Sequence, residues 1–222
     1  MEIFLDTANL DEIKEIVPWG IMNGLTTNQK IFSKEKGVNF REHVSEILSL
    51  VDGPISIEAP ANDVDGIVKA AREYSSWNEK IVVKVPMLAN GDGLRAVSIL
   101  KEEGIKTNVT VLMSTNQVLL SALAGATYAS IFFNRVRDYG DDAERVLRES
   151  RTILDRGNFE TKIIAGSIRK PEDVVEVATA GAHIITIPYK ILVQMPYHQK
   201  TVETLEEFDK AWVEFKKGER RN

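Results

Sequence analysis

The chain of 222 residues matches a single α/β barrel, which takes about 200–250 residues, better than it matches two separate domains. Hydrophobic residues make up 43% and charged residues 27%, a composition that argues against disorder. The formal net charge is −5 and there is no basic block, which argues against binding to nucleic acid or to a membrane surface. Cysteine is absent and histidine occurs three times, which excludes disulfides and thiolate chemistry and argues against a multi-histidine metal site.

Short runs rich in β-branched residues alternate with segments that carry apolar residues at helical spacing. The predicted strands are residues 3–6, 24–28, 55–59, 81–86, 105–111, 128–134, 162–167 and 183–188. The predicted helices are residues 10–17, 40–51, 63–74, 93–103, 115–124, 142–154, 171–180, 191–195 and 202–217. Eight such alternations predict an α/β fold of the (β/α)8 TIM-barrel type, while the alternative of an open doubly wound sheet lacks the glycine-rich loop that would support it.

The last predicted helix, residues 202–217, follows the eighth strand and is not needed to close the barrel. It carries Leu205, Phe208, Trp212 and Phe215 at helical spacing, and such an apolar face needs a partner, either the bottom of the barrel or a neighbouring subunit. We take residues 1–222 as one barrel domain and expect this helix to pack on a neighbouring subunit of a homo-oligomer.

One long uncharged stretch, between Lys106 and Arg135, could span a bilayer by its length. Polar or small residues at 114–117 and 125–127 interrupt it, so it is interpreted as a strand, a buried helix and a strand. The first ten residues contain only a short apolar run and no signal-peptide pattern. We therefore expect a cytoplasmic protein without a membrane partner.

Three predicted strands contain an ionisable residue where a barrel interior normally holds Val, Ile or Leu: Asp6, Glu58 and Lys84. A buried charge costs several kcal/mol or shifts its pKa, so each placement needs a reason. Each could be a structural ion pair at a strand end. Three together near the carboxyl ends of strands, where barrels place their chemistry, favour an active site.

Lys84 points to covalent chemistry. Burial lowers a lysine pKa, and a neutral amine can attack a carbonyl to form a Schiff base that permits cleavage of the adjacent C–C bond. Asp6 and Glu58 are the available proton carriers, but their negative charge raises the lysine pKa and opposes burial. The sequence leaves open which effect prevails.

Polar residues follow the same inward alternation on two strands, namely Thr26 with Asn28 and Asn108 with Thr110. As a set they suit a ligand with several hydroxyl groups, such as an open-chain sugar, although each alone could be a solvated strand end. Arg135 follows the sixth strand, and Arg169 lies beside Ser167 before a helix that starts near Pro171. Arginines beside a helix N-terminus predict an anion site. The alternative is that they form salt bridges on the surface, and Arg137 fits that alternative better.

The motifs together resemble the transaldolase family, in particular its small-subunit branch with the fructose-6-phosphate aldolases. The matching segments are FLDTAN (4–9), GLTTN (24–28), VVKVP (82–86), GIKTNVT (104–110), NR (134–135), GSIR (166–169) and ITIP (185–188). The resemblance covers essentially the whole chain. It implies a class I enzyme of carbohydrate metabolism, of the pentose phosphate pathway type, that uses no metal or organic cofactor and forms rings, pentamers or decamers.

The resemblance also implies roles for individual residues. Lys84 resembles the Schiff-base lysine, Asp6 the group that handles the proton of the sugar C4 hydroxyl, and Glu58 with Thr110 the pair that positions a water. The positions matching hydroxyl-binding residues are Thr26, Asn28, Asn108 and Ser130. The positions matching phosphate-binding residues are Arg135, Ser167 and Arg169.

Three positions separate the two activities of the family. Aldolase members resemble a pattern with Gln at 58 and Tyr at 132 and without Asn at 108; Glu58, Phe132 and Asn108 here follow the transaldolase pattern. The first interpretation is therefore transfer of dihydroxyacetone between sugar phosphates. The chain departs from the family at Gln29–Lys30 and at Ile131, because Pro is usual at both places. Both departures lie at the mouth of the site and leave open whether the anionic head group of the substrate is phosphate or sulfonate. The alternatives are a fructose-6-phosphate aldolase and a non-catalytic barrel that binds sugar phosphates.

Overall fold

The computed structural model describes residues 1–219, and their eight strands form a closed parallel barrel. The strands are β1 (Glu2–Asp6), β2 (Gly24–Thr26), β3 (Ile55–Glu58), β4 (Ile81–Pro86), β5 (Thr107–Leu112), β6 (Tyr128–Phe132), β7 (Lys162–Gly166) and β8 (Ile184–Ile187). Each strand pairs with the next one in the chain, and β8 closes the barrel against β1, with Ile187 opposite Leu5. The predicted (β/α)8 fold is confirmed.

Helices connect the strands and cover the barrel. They are α1 (Leu10–Ile16), α2 (Gln29–Phe32), α3 (Phe40–Leu50), α4 (Val64–Ser75), α5 (Asp92–Glu102), α6 (Thr115–Leu123), α7 (Phe133–Tyr139), α8 (Ala143–Arg156), α9 (Pro171–Thr179), α10 (Tyr189–Leu192) and α11 (Gln199–Glu219). Side chains that accept hydrogen bonds from first-turn amides fix many of the helix starts, which satisfies otherwise unpaired N–H groups. These caps are Asn9, Asn28, Asn39, Asp63, Ser114 and Asp142.

An apolar plug fills the interior of the barrel, and its members are Phe4, Val82, Tyr128, Ile164 and Ile184. Because side chains alternate along a strand, the residues two positions further on point the same way, one layer closer to the carboxyl ends. Those residues are Asp6, Lys84, Ser130, Gly166 and Thr186. The plug therefore serves as the floor of a polar layer.

Three differences from the predicted elements stand out. β2 ends at Thr26 because the side chain of Asn28 accepts from the Ile31 amide and starts the short helix α2. β6 ends at Phe132 and α7 begins at once, so Asn134, predicted as the last strand residue, is helical. At the other end of the chain, α11 is longer than predicted and has no buried side chain. Within residues 1–219, no helix has both the length and the apolar character needed to cross a membrane.

Candidate active site

A cavity of about 130 Å³ opens above the apolar plug. Its lining comes from six of the eight strands or from the segments that follow them: Asp6, Thr26, Asn28, Lys84, Ser130, Phe132, Arg135, Gly166, Ser167 and Thr186. Eight of the sequence-predicted site residues are among them. The other four, which are Glu58, Asn108, Thr110 and Arg169, lie around it and are described in turn below.

Lys84 stands in the middle of β4 with 5% of its surface exposed. Its Nζ donates a hydrogen bond of 2.8 Å to the backbone carbonyl of Thr27. Burial lowers the pKa of Lys84, while the negative charges of Asp6 and Glu58 act in the opposite direction. The sequence left open whether burial or the two carboxylates has the larger effect on this pKa. Burial has the larger effect, so the amine loses its proton more readily than that of an ordinary lysine.

Asp6 is the last residue of β1, and its Oδ1 accepts a hydrogen bond of 2.7 Å from the Thr26 hydroxyl. That hydroxyl is also hydrogen-bonded to the hydroxyl of Thr186 on β8. Burial raises the pKa of Asp6, although Lys84, the Thr26 hydrogen bond and Lys34 all lower it. A carboxyl group with a raised pKa beside an amine with a lowered pKa can exchange a proton with a bound molecule more readily than either group could in water.

A second chain of polar residues runs from Ser130 in the cavity lining to Asn108 and Ser56, which lie outside the lining. The Ser130 hydroxyl donates to Asn108 Oδ1 at 2.8 Å, and Asn108 Nδ2 donates to the Ser56 hydroxyl at 3.1 Å. Thr110 is also buried, but its hydroxyl has no hydrogen-bond partner among the described residues. An unpaired buried hydroxyl is costly, so this one is suited to a water molecule or a ligand.

Glu58 ends β3 and faces a different cavity of about 290 Å³. The rest of this neighbouring cavity is mostly apolar and is formed by Asn28, Gln29, Phe32, Phe40, Ile57, Pro60 and Tyr74. Asn28 lines both cavities, so the cavity that Glu58 faces adjoins the cavity above Lys84 at this residue.

The two predicted anion-binding arginines have different surroundings. Arg135 lies on α7 and lines the cavity, with its guanidinium carbon 5.1 Å from the centre of the Phe132 ring. Arg169 is half-exposed, and its two terminal nitrogens donate to the two carboxylate oxygens of Asp138 at 2.8 and 2.5 Å. Arg169 therefore takes the salt-bridge alternative in this structure. Arg137 also forms ion pairs, with Glu144, Asp173 and Glu176.

The sequence interpretation missed several residues of the site. Thr186 and Gly166 line the cavity, and Ser56 holds Asn108. Thr186 and Ser56 had a detectable signal, because a hydroxyl inside an apolar strand is as unusual as the charges that were noticed. Gly166 had none of this kind, and only the structure shows that a Cβ there would lie 3.3 Å from Thr186 Cγ2.

The fold and the site together define a (β/α)8-barrel protein with a buried lysine in a polar pocket at the carboxyl ends of its strands. Thiamine phosphate pyrophosphorylase from Pyrococcus furiosus has a similar structure, with a TM-score of 0.58, 12% identity and coverage of 88% of this chain and 93% of that protein. A flavocytochrome b2 variant with sulfite bound gives a TM-score of 0.61 at 11% identity, over 93% of this chain and 61% of that one. At these identities the likeness extends to the fold alone.

Sequence comparison goes further than the fold. Residues 3–221 match the family described as "Transaldolase/Fructose-6-phosphate aldolase". A "Probable transaldolase" of Carboxydothermus hydrogenoformans is 49% identical over 98% of this chain and 100% of its own length. One of Roseiflexus castenholzii is 45% identical with the same coverage. The chain belongs to the transaldolase/fructose-6-phosphate aldolase family, which confirms the resemblance, and its activity is of the transaldolase or aldolase type.

Proposed function

We propose that the protein is a Schiff-base transaldolase that moves a dihydroxyacetone unit from a ketose phosphate to an aldose phosphate. Fructose 6-phosphate or sedoheptulose 7-phosphate is the donor type. The observation that carries the proposal is Lys84, a buried amine with a lowered pKa in a polar cavity that it shares with Asp6. Neutral amines are the nucleophiles that form imines with carbonyl substrates.

In the proposed reaction, the Lys84 amine attacks the C2 carbonyl of the donor, and loss of water leaves a protonated imine. Asp6 accepts the proton of the C4 hydroxyl as the C3–C4 bond breaks, and the bonding electrons move into the imine to give an enamine. The aldose phosphate leaves, an acceptor aldehyde takes its place, and the new C–C bond forms by the reverse steps. The raised pKa of Asp6 suits a group that takes up and returns this proton.

Release of the product requires water to attack the imine. The unpaired hydroxyl of Thr110 and the carboxylate of Glu58 are proposed to hold that water, which would also satisfy the buried hydroxyl. Thr26, Asn28, Asn108 and Ser130 are proposed to bind the sugar hydroxyls. Arg135, Ser167 and Arg169 are proposed to bind the phosphate, with Arg169 exchanging Asp138 for the substrate.

Borohydride reduction in the presence of fructose 6-phosphate tests the proposal directly. The expected result is a stable adduct on Lys84, found by peptide mass spectrometry, and loss of turnover in Lys84→Ala with the fold retained. Lys80→Ala is the matched control, because Lys80 precedes the same strand and donates to the Val51 carbonyl at 2.9 Å away from the cavity. Without an adduct on Lys84, neither the transaldolase nor the aldolase interpretation survives, and a non-catalytic sugar-phosphate barrel remains.

A fructose-6-phosphate aldolase is the second candidate, because the matching family includes both activities. The two differ in what meets the three-carbon enamine: a proton gives an aldolase, and an acceptor aldehyde gives a transferase. Phe132 offers no hydroxyl to place a proton or a water there, whereas tyrosine would. We expect wild-type release of dihydroxyacetone to be slow without an acceptor, and Phe132→Tyr to raise it by about tenfold, or ~1.4 kcal/mol in the barrier. Acceptor-independent cleavage by wild type as fast as transfer would favour the aldolase.

The head group of the donor is tested separately. Gln29 and Lys30 begin α2, beside Asn28 at the mouth of the site. Comparing kcat/KM for a ketose phosphate with that for the corresponding sulfonate distinguishes the two anions, because the chemistry at Lys84 is the same for both.

A further inference from the structure

Asp173 lies in the first turn of α9, behind the proposed anion subsite, and its side chain is fully buried. One of its oxygens, Oδ2, accepts three hydrogen bonds: 2.8 Å from the Arg169 amide, 3.1 Å from the Lys170 amide and 2.6 Å from Asn134 Nδ2. The other oxygen faces the Arg137 guanidinium at 3.5 Å. Neither the cavity lining nor the proposed reaction uses this carboxylate.

The partners of Asp173 join the two segments that carry the proposed phosphate-binding side chains. Asn134 immediately precedes Arg135 on α7, and its Nδ2 also donates to the Ser167 carbonyl at 2.9 Å. The Arg169 amide belongs to the loop after β7, so Asp173 fixes that loop from the other side. Through these bonds, the segment of Arg135 and the segment of Ser167 and Arg169 share one anchor.

The backbone of the loop needs such an anchor. Ser167 has a φ of +61°, in the left-handed region that is unfavourable for residues with a side chain. Conformations of this kind persist only where the surroundings hold them. The Asn134 bond to the Ser167 carbonyl is one such constraint, and Asp173 holds Asn134 in place.

We propose that Asp173 is a positioning residue for the anion subsite: it sets the spacing of the Arg135 and Ser167–Arg169 segments, so that binding of the substrate's anionic end depends on a carboxylate that does not touch it. The inference rests on the proposed function only in taking the anion to be the charged end of a sugar. A role confined to capping α9 is the competing explanation, because two of the three bonds to Oδ2 come from amides at the start of that helix.

Asp173→Ala is compared with Asp142→Ala, a variant that removes a helix cap outside the cavity lining. There Asp142 Oδ1 accepts a hydrogen bond of 2.9 Å from the Arg145 amide. Both variants should be less stable. Only Asp173→Ala should weaken binding of inorganic phosphate, followed by calorimetry, and raise the KM for fructose 6-phosphate by about tenfold, the effect of misplacing about one charge-assisted hydrogen bond. The KM for unphosphorylated fructose and kcat for both substrates should stay within about twofold of wild type, because Lys84 is untouched.

Two further variants keep the test decisive if Asp173→Ala does not fold. Asn134→Ala removes the bonds to the Ser167 carbonyl and to Asp173 Oδ2 but leaves both amide bonds at the start of α9, and it should give the same selective rise in KM. Asp173→Asn can retain an oxygen at the Oδ2 position and should be milder, although its amide then meets Arg137. Wild-type phosphate affinity in Asp173→Ala or Asn134→Ala, or an equal rise in KM for both sugars, would overturn the proposal.

The outcomes separate this proposal from the proposed function. If wild type forms the Lys84 adduct but binds no phosphate, the anion subsite and the role of Asp173 fail while the Schiff base stands. If phosphate binds and depends on Asp173 but no adduct forms, the positioning role stands and the enzymatic mechanism fails.

Discussion

The pKa of Lys84 results from opposing effects of burial and of two nearby carboxylates, of which burial is the larger. Removing the charge of Asp6 takes away an effect that raises the pKa of the lysine, so Asp6→Asn should lower that pKa further. The measurement is the pH dependence of trapping dihydroxyacetone on Lys84 with cyanoborohydride. The trapping rate should rise with pH, and its midpoint should lie below the pKa of an ordinary lysine. In Asp6→Asn the midpoint should lie at a lower pH than in wild type. A midpoint that moves to higher pH in this variant would contradict the assignment.

The different surroundings of the two arginines predict unequal effects. Arg135 lines the cavity, so Arg135→Ala should raise the KM for fructose 6-phosphate by about ten- to a hundredfold, the equivalent of ~1.5–3 kcal/mol for a hydrogen bond to a charged group. Arg169→Ala should have a smaller effect, because Arg169 must first leave Asp138. The steady-state KM for unphosphorylated fructose serves as control; a matching rise for that sugar would mean that the arginines are structural.

Asp138 provides a converse test of the same idea. Exposed ion pairs contribute about 0–1 kcal/mol, so releasing Arg169 in Asp138→Asn should lower the KM for fructose 6-phosphate by no more than about fivefold. An increase would show that Asp138 helps binding rather than competing for Arg169.

Single residues of the site were predictable to the extent that they violate a local pattern. Lys84 and Asp6 are charged residues within apolar strands, which makes them conspicuous in the sequence. The alternation of inward and outward side chains along the strands also places both in one layer. Asp173 and Asn134 violate no pattern, because an acidic first turn and a polar helix residue are ordinary. Their importance arises from contacts between α7, α9 and the loop after β7, which the spacing of residues along the chain does not contain.

At the scale of elements, the strand cores and the longer helices were predictable, because both have a clear periodicity. The two missed helices follow strands closely, α2 after two residues and α7 after none. α2 has four residues, too few to show a period, and α7 begins with Phe133 directly after the apolar end of β6, so the sequence looks like more strand. The consequence was specific: Arg135 was expected after a strand, whereas it lies within the first turn of a helix.

The strand β5 contains an irregularity that positions Thr110. Its register against β6 shifts between Val109 and Leu112, and Val111 has a φ of +65°, a strained value for a β-branched residue. Glycine would relieve about 1–3 kcal/mol of strain there and would offset that with a loss of about 0.5–1 kcal/mol in backbone entropy, apart from lost contacts. These two terms leave a gain of about 0–2.5 kcal/mol, from which the lost contacts of the half-buried side chain are subtracted. Val111→Gly should therefore lower the free energy of unfolding by no more than ~1 kcal/mol in urea titration.

Val109→Gly is the matched control on the same strand, because Val109 is fully buried and has no positive φ. It should destabilise the protein by at least ~2 kcal/mol through the lost side chain and the added chain entropy. Equal losses in the two variants would mean that Val111 stores no strain.

At the scale of the molecule, α11 is the element that the barrel does not use. Its aromatic residues are mostly exposed, at 65% for Phe208 and 59% for Trp212, and the ring of Trp212 stacks on that of Phe215 at 5.3 Å. We propose that a second copy of the chain covers this face, as expected from the sequence. Burying one such side chain contributes about 1.5–3 kcal/mol, so several side chains buried together on both copies can offset the entropy cost of association.

Light scattering tests the assembly. Wild type should have a mass several times the 24.9 kDa of one chain, in keeping with the expected pentamer or decamer, and Phe208→Glu with Trp212→Glu should reduce it. Lys210→Glu is the control, since residue 210 falls on the opposite side of the helix from these rings by its spacing. A monomeric wild type would refute the proposed assembly.

The pairing of β8 with β1 has a consequence for the nascent chain during synthesis. Synthesis delivers Asp6 long before Thr186, so the hydroxyl contacts that join them through Thr26 cannot exist in a nascent chain that stops before β8. Such a chain already contains Lys84, but its unfinished sheet has two open edges and admits water to the interior. A lysine in water keeps its proton at neutral pH. The reactive amine is therefore a product of barrel closure, and an incomplete chain carries the lysine without its reactivity.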